Sequence, residues 1–141
     1  MNILFFLKPK SEIAYVYDYF SIRQALEKMK SHGYTAIPII DNEGGYIGSL
    51  SEGDLLWAVV DHNALENHER EHLPVGDIKR SREMVPVNVN AQIEDLLVAA
   101  MNQNFVPVID DRGLFIGIVT RKDILQYYYD KTHIPDKHSV Q

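Results

Sequence analysis

The chain contains no cysteine, which excludes disulfide frameworks, thiolate zinc sites, iron–sulfur clusters and cysteine nucleophiles together. It also lacks a long apolar run. Ile3-Leu4-Phe5-Phe6-Leu7 is too short for a signal-peptide core and far too short to span a bilayer, so the expected location is the cytoplasm, with no membrane partner. Basic residues are scattered and the formal net charge is −6, which argues against broad contact with a nucleic-acid backbone. A small anionic ligand stays possible, because a helix N-terminus supplies local donors whatever the global charge. No phosphate-loop lysine follows any glycine-rich turn.

What is present fits an ordinary globular chain: 141 residues, 45% hydrophobic and 24% charged. That length buries one core, or two small half-domains sharing one. An internal repeat favours the second arrangement. At a shift of 69 residues, Pro38, Ile40, Asp41, Gly44, Ile47, Gly48, Asp54 and Leu56 fall on Pro107, Ile109, Asp110, Gly113, Ile116, Gly117, Asp123 and Leu125. About one or two such identities would arise by chance in so short a window. Upstream, Ile22 and Leu26 match Ile93 and Leu97 at a shift of 71, so the second copy has lost two residues between its helix and its proline.

Each copy reads as strand, helix, two strands and helix. In the first, Ile13 to Val16 is β-rich, and Ile22, Ala25, Leu26 and Met29 recur at helical spacing before Gly33. Ala36 to Ile40 is an apolar strand, Asn42 to Gly45 a turn, and Tyr46 to Leu50 the returning strand. The second copy offers Val85 to Val89, a helix over Ile93 to Met101, strands Phe105 to Ile109 and Leu114 to Val119, and a helix from about Asp123 to Asp130. The expected division is a first motif over residues 1–62, a connector over 63–76, a second motif over 77–130 and a frayed tail over 131–141. Half-domains this small cannot satisfy their apolar strands separately. The copies should therefore pack about a pseudo-twofold axis and leave two equivalent clefts.

The strongest constellation is a strand that ends in glycine, then a hydroxyl residue, two spacers and an aspartate opening a helix: Gly48-Ser49-Leu50-Ser51-Glu52-Gly53-Asp54, and again Gly117-Ile118-Val119-Thr120-Arg121-Lys122-Asp123. Ser51 and Thr120 are suited to cap the helix, with Asp54 and Asp123 answering three residues later. The same geometry offers a hydroxyl and amides to a phosphate, while a carboxylate one turn on accepts ribose hydroxyls. A proline recurs inside each middle strand, at Ile37-Pro38-Ile39 and Val106-Pro107-Val108. It cannot donate to a ladder, so main chain beside it is left to pair with something else, such as a purine edge.

These residues resemble the CBS domain, over roughly Lys8 to Tyr128, as a tandem pair of the stand-alone bacterial type, or Bateman module. The carriers are Tyr34-Thr35-Ala36-Ile37-Pro38-Ile39-Ile40-Asp41 and Asn104-Phe105-Val106-Pro107-Val108-Ile109-Asp110, each with its glycine-to-aspartate segment, and the lead-in Val75-Gly76-Asp77-Ile78. The resemblance implies an α/β fold of two β-α-β-β-α repeats and clefts for an adenine nucleotide (AMP, ADP or ATP). That nucleotide would be a regulatory ligand, not a catalytic cofactor. It assigns phosphate to Ser51 and Thr120 and ribose to Asp54 and Asp123. Thr35, Ala36, Ile37 and Pro38, with Asn104, Phe105, Val106 and Pro107, would form the adenine walls, and Ala14 and Val85 on the first strands would close each pocket. Arg121 and Lys122 stand beside Thr120 where Glu52 and Gly53 stand beside Ser51, so the Thr120 cleft is expected to hold phosphate more tightly. Glu12 to Val16, Gly33 to Pro38 and Thr120-Arg121 are also similar to small CBS pairs that bind cyclic di-AMP. That receptor role is the alternative, together with a constitutive dimerisation scaffold without ligand. A pair of this kind would act on an unidentified protein target in trans.

Other motifs look catalytic without adding up to a site. His68-Glu69-Arg70-Glu71-His72 matches the zinc-protease string, but it lies in the polar connector, has no evident third ligand and is ended by Leu73-Pro74. It reads as a solvated helix face, and no enzyme activity is expected. His62, His68 and His72 could gather a metal ion only at a contact between subunits. Tyr127, Tyr128 and Tyr129, with Leu55, Leu56, Trp57, Val59 and Val60 in the first copy, give both closing helices more apolar surface than a monomer needs, and a homodimer is expected.

Overall fold

The structure is a computed structural model, which describes residues 1–62 and 73–133. In chain order the elements are β1 (Lys8–Pro9), β2 (Val16–Tyr17), α1 (Ile22–His32), β3 (Ala36–Ile40), β4 (Tyr46–Ser51), α2 (Glu52–His62), β5 (Val87–Asn88), α3 (Ile93–Asn102), β6 (Phe105–Ile109), β7 (Phe115–Thr120) and α4 (Arg121–His133). Short 3₁₀ turns lie at Ile3–Phe5, Lys10–Glu12 and Val75–Asp77.

Local chemistry sets most of these limits. Ser21 and Gln24 form a reciprocal capping box at the start of α1. Gly33 ends it in the left-handed region at φ 67°, where the amide of Tyr34 reaches back to the Met29 carbonyl at 2.8 Å. The second copy has no glycine there. Its α3 runs one residue shorter into an extended Gln103, and the link to the next strand is one residue shorter as well, which accounts for the two missing residues.

The strands form two sheets, one in the order β2-β3-β4 and the other β1-β7-β6-β5. In each, a parallel two-residue strand joins an antiparallel hairpin in the same register: Val16 opposite Ile39 and Val87 opposite Val108, Pro38 opposite Ser49 and Pro107 opposite Ile118. The pseudo-twofold axis passes between the hairpin turns. Tyr46 donates its amide to the Gly113 carbonyl at 3.2 Å, and Phe115, its counterpart, donates to the Gly44 carbonyl at 2.9 Å. Their rings stack across the axis with centroids 6.0 Å apart.

Each half has its own core, and a third cluster of Ile40, Phe105, Phe115 and Ile118 joins them. The segments leading into the repeats are exchanged. Ile3 and Phe6 pack in the core of the second half and β1 pairs antiparallel with β7, while Val75 and Ile78 pack in the core of the first. Full burial of Ile3 alone contributes about 1.5–3 kcal/mol.

Several limits differ from expectation. The opening strands begin at Val16 and Val87, not at Ile13 and Val85, because a parallel strand is held only where its neighbour offers free main-chain groups. The last helix begins at Arg121 and runs to His133, taking in the first residues assigned to the tail. Most of the connector, 63–72, and the tail from 134 onward lie outside the described residues.

Candidate functional site

Each sheet delivers its hydroxyl residue to a helix start. In the first half the capping box is closed: the Asp54 amide donates to Ser51 Oγ and the Ser51 amide to Asp54 Oδ2, both at 3.0 Å. In the second half the Asp123 amide donates to Thr120 Oγ1 at 3.1 Å, but the carboxylate turns to Lys8 Nζ at 3.3 Å. The helices are otherwise pinned alike, with the amide of Glu52 on the Thr35 carbonyl at 3.0 Å and that of Arg121 on the Asn104 carbonyl at 2.9 Å.

The two aspartates stand in different surroundings. Asp54 is 5% exposed, and its Oδ1 accepts from both the amide and the hydroxyl of Ser81 at 2.9 Å. Burial raises its pKa, but hydrogen bonds from Ser51 and Ser81 outweigh that and hold it below the ordinary value. The Tyr46 hydroxyl donates to the Met84 carbonyl at 2.9 Å and lies 2.9 Å from Ser49 Oγ, which must then be the donor to it. Burial pushes this phenol up to about 12, so it stays protonated.

A cavity of about 430 Å³ opens between the halves, lined by Lys8, Ile13, Gly33, Tyr34, Thr35, Ala36, Pro38, Asn104, Phe105, Ile118, Thr120 and Lys122. Its walls are mainly apolar, with Lys8, Lys122, Thr35 and Thr120 among them. Since β2 pairs only with Ile39 and Ile40, the main chain of Ala36 to Pro38 has a strand partner on one side alone. On the second half, Gln103 spans the matching gap. Its Nε2 donates to the carbonyls of Phe105 and Val85 at 3.3 and 3.4 Å, and its Oε1 accepts from the Val85 amide at 3.0 Å.

Of the residues marked in the sequence, Thr35, Ala36, Pro38, Asn104, Phe105, Thr120 and Lys122 come together around this cavity, with Asp123 joined to it through Lys8. Ile37 and Val106 are fully buried and offer only main chain. Pro107 stands opposite Ile118 in the ladder. Ser51 and Asp54 lie apart, against Ser81. Arg121 does not face the cavity: its Nε donates to the Ala100 carbonyl near the end of α3 at 2.7 Å. Ala14 and Val85 precede the strands they were expected to occupy. Ala14 is buried with its amide on the Tyr34 hydroxyl at 3.3 Å, whereas Val85 is 63% exposed.

Lys8, Ile13, Gly33, Tyr34 and Ile118 were missed as lining residues. The repeat contained the signal for one of them. Tyr34 and Gln103 are counterparts at the shift of 69, and each holds the amide of Ala14 or Val85, counterparts at the shift of 71. Lys8 carried no local signal, since it reaches the second half only through the exchange of lead-ins. His68 and His72, and the side chain of His62, lie outside the described residues. Among the described residues no three metal-ligating acidic or histidine side chains gather, and no helix is long and apolar enough to cross a membrane.

This architecture, two β-α-β-β-α halves facing each other across a cleft, defines a class of duplicated α/β modules. A family model described as the CBS domain matches residues 7–61 and again residues 75–130, and the chain belongs to that family as a tandem pair. A CBS domain-containing protein of Dictyostelium discoideum is 30% identical over 111 residues, covering 72% of this chain and 74% of that one. Other curated relatives are longer: the chain spans 21% of a homoserine O-acetyltransferase of Methanococcus vannielii, to which it is 23% identical over 77% of its own length, and 49% of an uncharacterized protein of Methanopyrus kandleri. Among solved structures, CbpB in complex with c-di-AMP superposes with a TM-score of 0.82 at 24% identity, covering 95% of this chain and 88% of that one. The Listeria monocytogenes CbpB protein in complex with c-di-AMP gives 0.75 at 26% identity, covering 91% and 95%, and CBSX2 in complex with AMP gives 0.73 at 24%, covering 94% and 98%.

Proposed function

We propose that the chain is a regulatory module that binds an adenine nucleotide of the AMP, ADP or ATP type in the cleft between its repeats, catalyses no reaction, and signals occupancy to a protein partner in trans. The observation that carries this reading is the lining of the cavity, mainly apolar but holding two ammonium groups and the Thr120 hydroxyl. Ala36, Pro38, Phe105 and Ile118 supply surfaces a purine can lie against, and the one-sided main chain of Ala36 to Pro38 supplies hydrogen bonds for its edge. Lys8, Lys122 and the Thr120 hydroxyl, at the start of α4, supply donors to phosphate. Asp123, once Lys8 turns to that phosphate, accepts from ribose hydroxyls.

Cyclic di-AMP is the second reading, favoured by one observation: a single cavity draws walls from the middle strands of both halves. The Listeria monocytogenes CbpB complex supports it. Thermal shift separates the readings, because a ligand held by the folded state alone raises the melting temperature by mass action. We expect AMP, ADP or ATP to stabilise the chain more than cyclic di-AMP at equal concentration. The reverse order would establish the second reading, and no shift from any of them would leave a constitutive scaffold. We also propose a cytoplasmic homodimer.

A further inference from the structure

The internal symmetry calls for a second nucleotide pocket, at Ser51 and Asp54, and there the chain lies across its own site, leaving beside α2 a smaller cavity of about 250 Å³ whose lining includes two carboxylates, Asp54 and Asp61, with Lys79 and Ser81. Counted at the shift of 71, Lys79 to Met84 is the counterpart of Lys8 to Ile13, and it crosses the first half as the N-terminal segment crosses the second. The attachments are unequal. Ser81 places an amide and a hydroxyl on one oxygen of Asp54, each at 2.9 Å, which is the donor pattern a ribose would bring. The other carboxylate oxygen is taken by the Ser51 amide. The Tyr46 hydroxyl holds the Met84 carbonyl. Arg80, tied to Glu83 at 3.2 Å, fills the space over Gly48 so closely that a Cβ there would stand 2.7 Å from its Nε. On the second half the lead-in is held by its ladder with β7, and its one tie to the aspartate is the ion pair of Lys8 with Asp123, whose side chains are 49% and 37% exposed. Exposed pairs of this kind hold little and exchange readily for a better anion.

We infer that residues 79–84 close the first pocket in the working protein, with Ser81 standing where a ribose would, so that the pair takes one adenosine ligand per chain, at Thr120 and Asp123, and Asp54 serves as a positioning residue for the lead-in. This rests on the nucleotide reading above. Two measurements on the full chain test it. In calorimetric titration with AMP and with ATP, wild type binds one equivalent. Asp123→Ala weakens binding at least tenfold, and Ser81→Ala and Asp54→Asn leave affinity within about twofold, 1.4 kcal/mol being a factor of ten. Two equivalents, or a site of undiminished affinity surviving in Asp123→Ala, would overturn the inference. Amide hydrogen exchange reads the closure without any ligand: the Ser81 amide is protected in the free protein, stays protected at saturating AMP, and loses protection in Asp54→Ala, which removes both acceptor oxygens. A Ser81 amide that exchanges freely in the unliganded wild type, or is released by AMP, would overturn it equally. If neither nucleotide binds while Ser81 is protected, the nucleotide reading fails and the closure of the first pocket stands.

Discussion

Gly117 lies under the chain that comes from the other end of the molecule. A Cβ built on it would stand 2.2 Å from the carbonyl oxygen of Lys8, and the residue has φ +156°. Main chain held in a ladder cannot retreat as a side chain can, so we expect Gly117→Ala to cost about 1–3 kcal/mol in denaturant unfolding. Gly48→Ala, whose nearest neighbours are side-chain atoms of Arg80, should cost less, since a long side chain can re-aim. Asp54 makes the second residue-scale case. Its pKa is lower in the folded state than the ordinary value near 4. Its contribution to stability is therefore fully present above the unfolded-state pKa and is lost as pH falls through the folded-state value. Asp54→Asn should lower stability at neutral pH by about 1.5–3 kcal/mol, the range for hydrogen bonds to a charged group. That gap should narrow as pH is taken from about 5 towards 2. Denaturation curves across that range check the direction, and a gap that widens in acid would contradict it.

At the scale of elements, the exchanged lead-ins decide what the cleft is made of. β1 pairs with β7 and carries Lys8 to the rim of the cavity, and the 3₁₀ turn before it seats Ile3 in the second core. Ile3→Ala should destabilise the second half by about 2–5 kcal/mol, measured by thermal or denaturant unfolding. Lys8→Ala should leave the fold intact and weaken ATP more than adenosine, with a shallower salt dependence, measured by titration at two ionic strengths. Equal weakening of both ligands would place Lys8 away from the phosphate. The helices and the β3-β4 and β6-β7 hairpins were legible in the sequence because their signals are local: apolar period, turn glycines, capping residues. The two-residue strands β2 and β5 were legible only in outline. Their limits depend on where β3 and β6 have free main-chain groups, and Tyr34 and Gln103 take over the amides that precede them.

For the molecule as a whole, duplication and symmetry are separate facts. The duplicated residues place Gly44 and Gly113 at corresponding turns, and the reciprocal hydrogen bonds between those turns bring the halves together. Symmetry then breaks at the two pockets, because different positions of the crossing segments reach the aspartates: Ser81, which aligns with Lys10, holds Asp54, whereas Lys8, which aligns with Lys79, holds Asp123. On the outer surface, Leu56, Trp57 and Val60 of α2 and Leu125 and Tyr128 of α4 are exposed, and Leu26, Leu56 and Val59 line an apolar groove between α1 and α2. Under the proposed dimer, light scattering at micromolar concentration should give twice the mass of 16.2 kDa. Replacing Leu56 and Trp57 by glutamate should return the monomer, through the cost of burying charge at a desolvated contact. A monomer mass for the wild type would reject the dimer.

Composition and pattern were enough to establish a duplicated α/β chain, the order of elements within each repeat, its family resemblance and the two glycine-to-aspartate segments, since each is written in residue types and their spacing. Only the folded chain decided which lead-in crosses which half. That choice depends on contacts between residues more than a hundred positions apart, such as Lys8 with Asp123, and on how a buried carboxylate finds its donors, as Asp54 does in Ser81. Local preference carries no record of such pairings, because their energy exists only once both cores are packed.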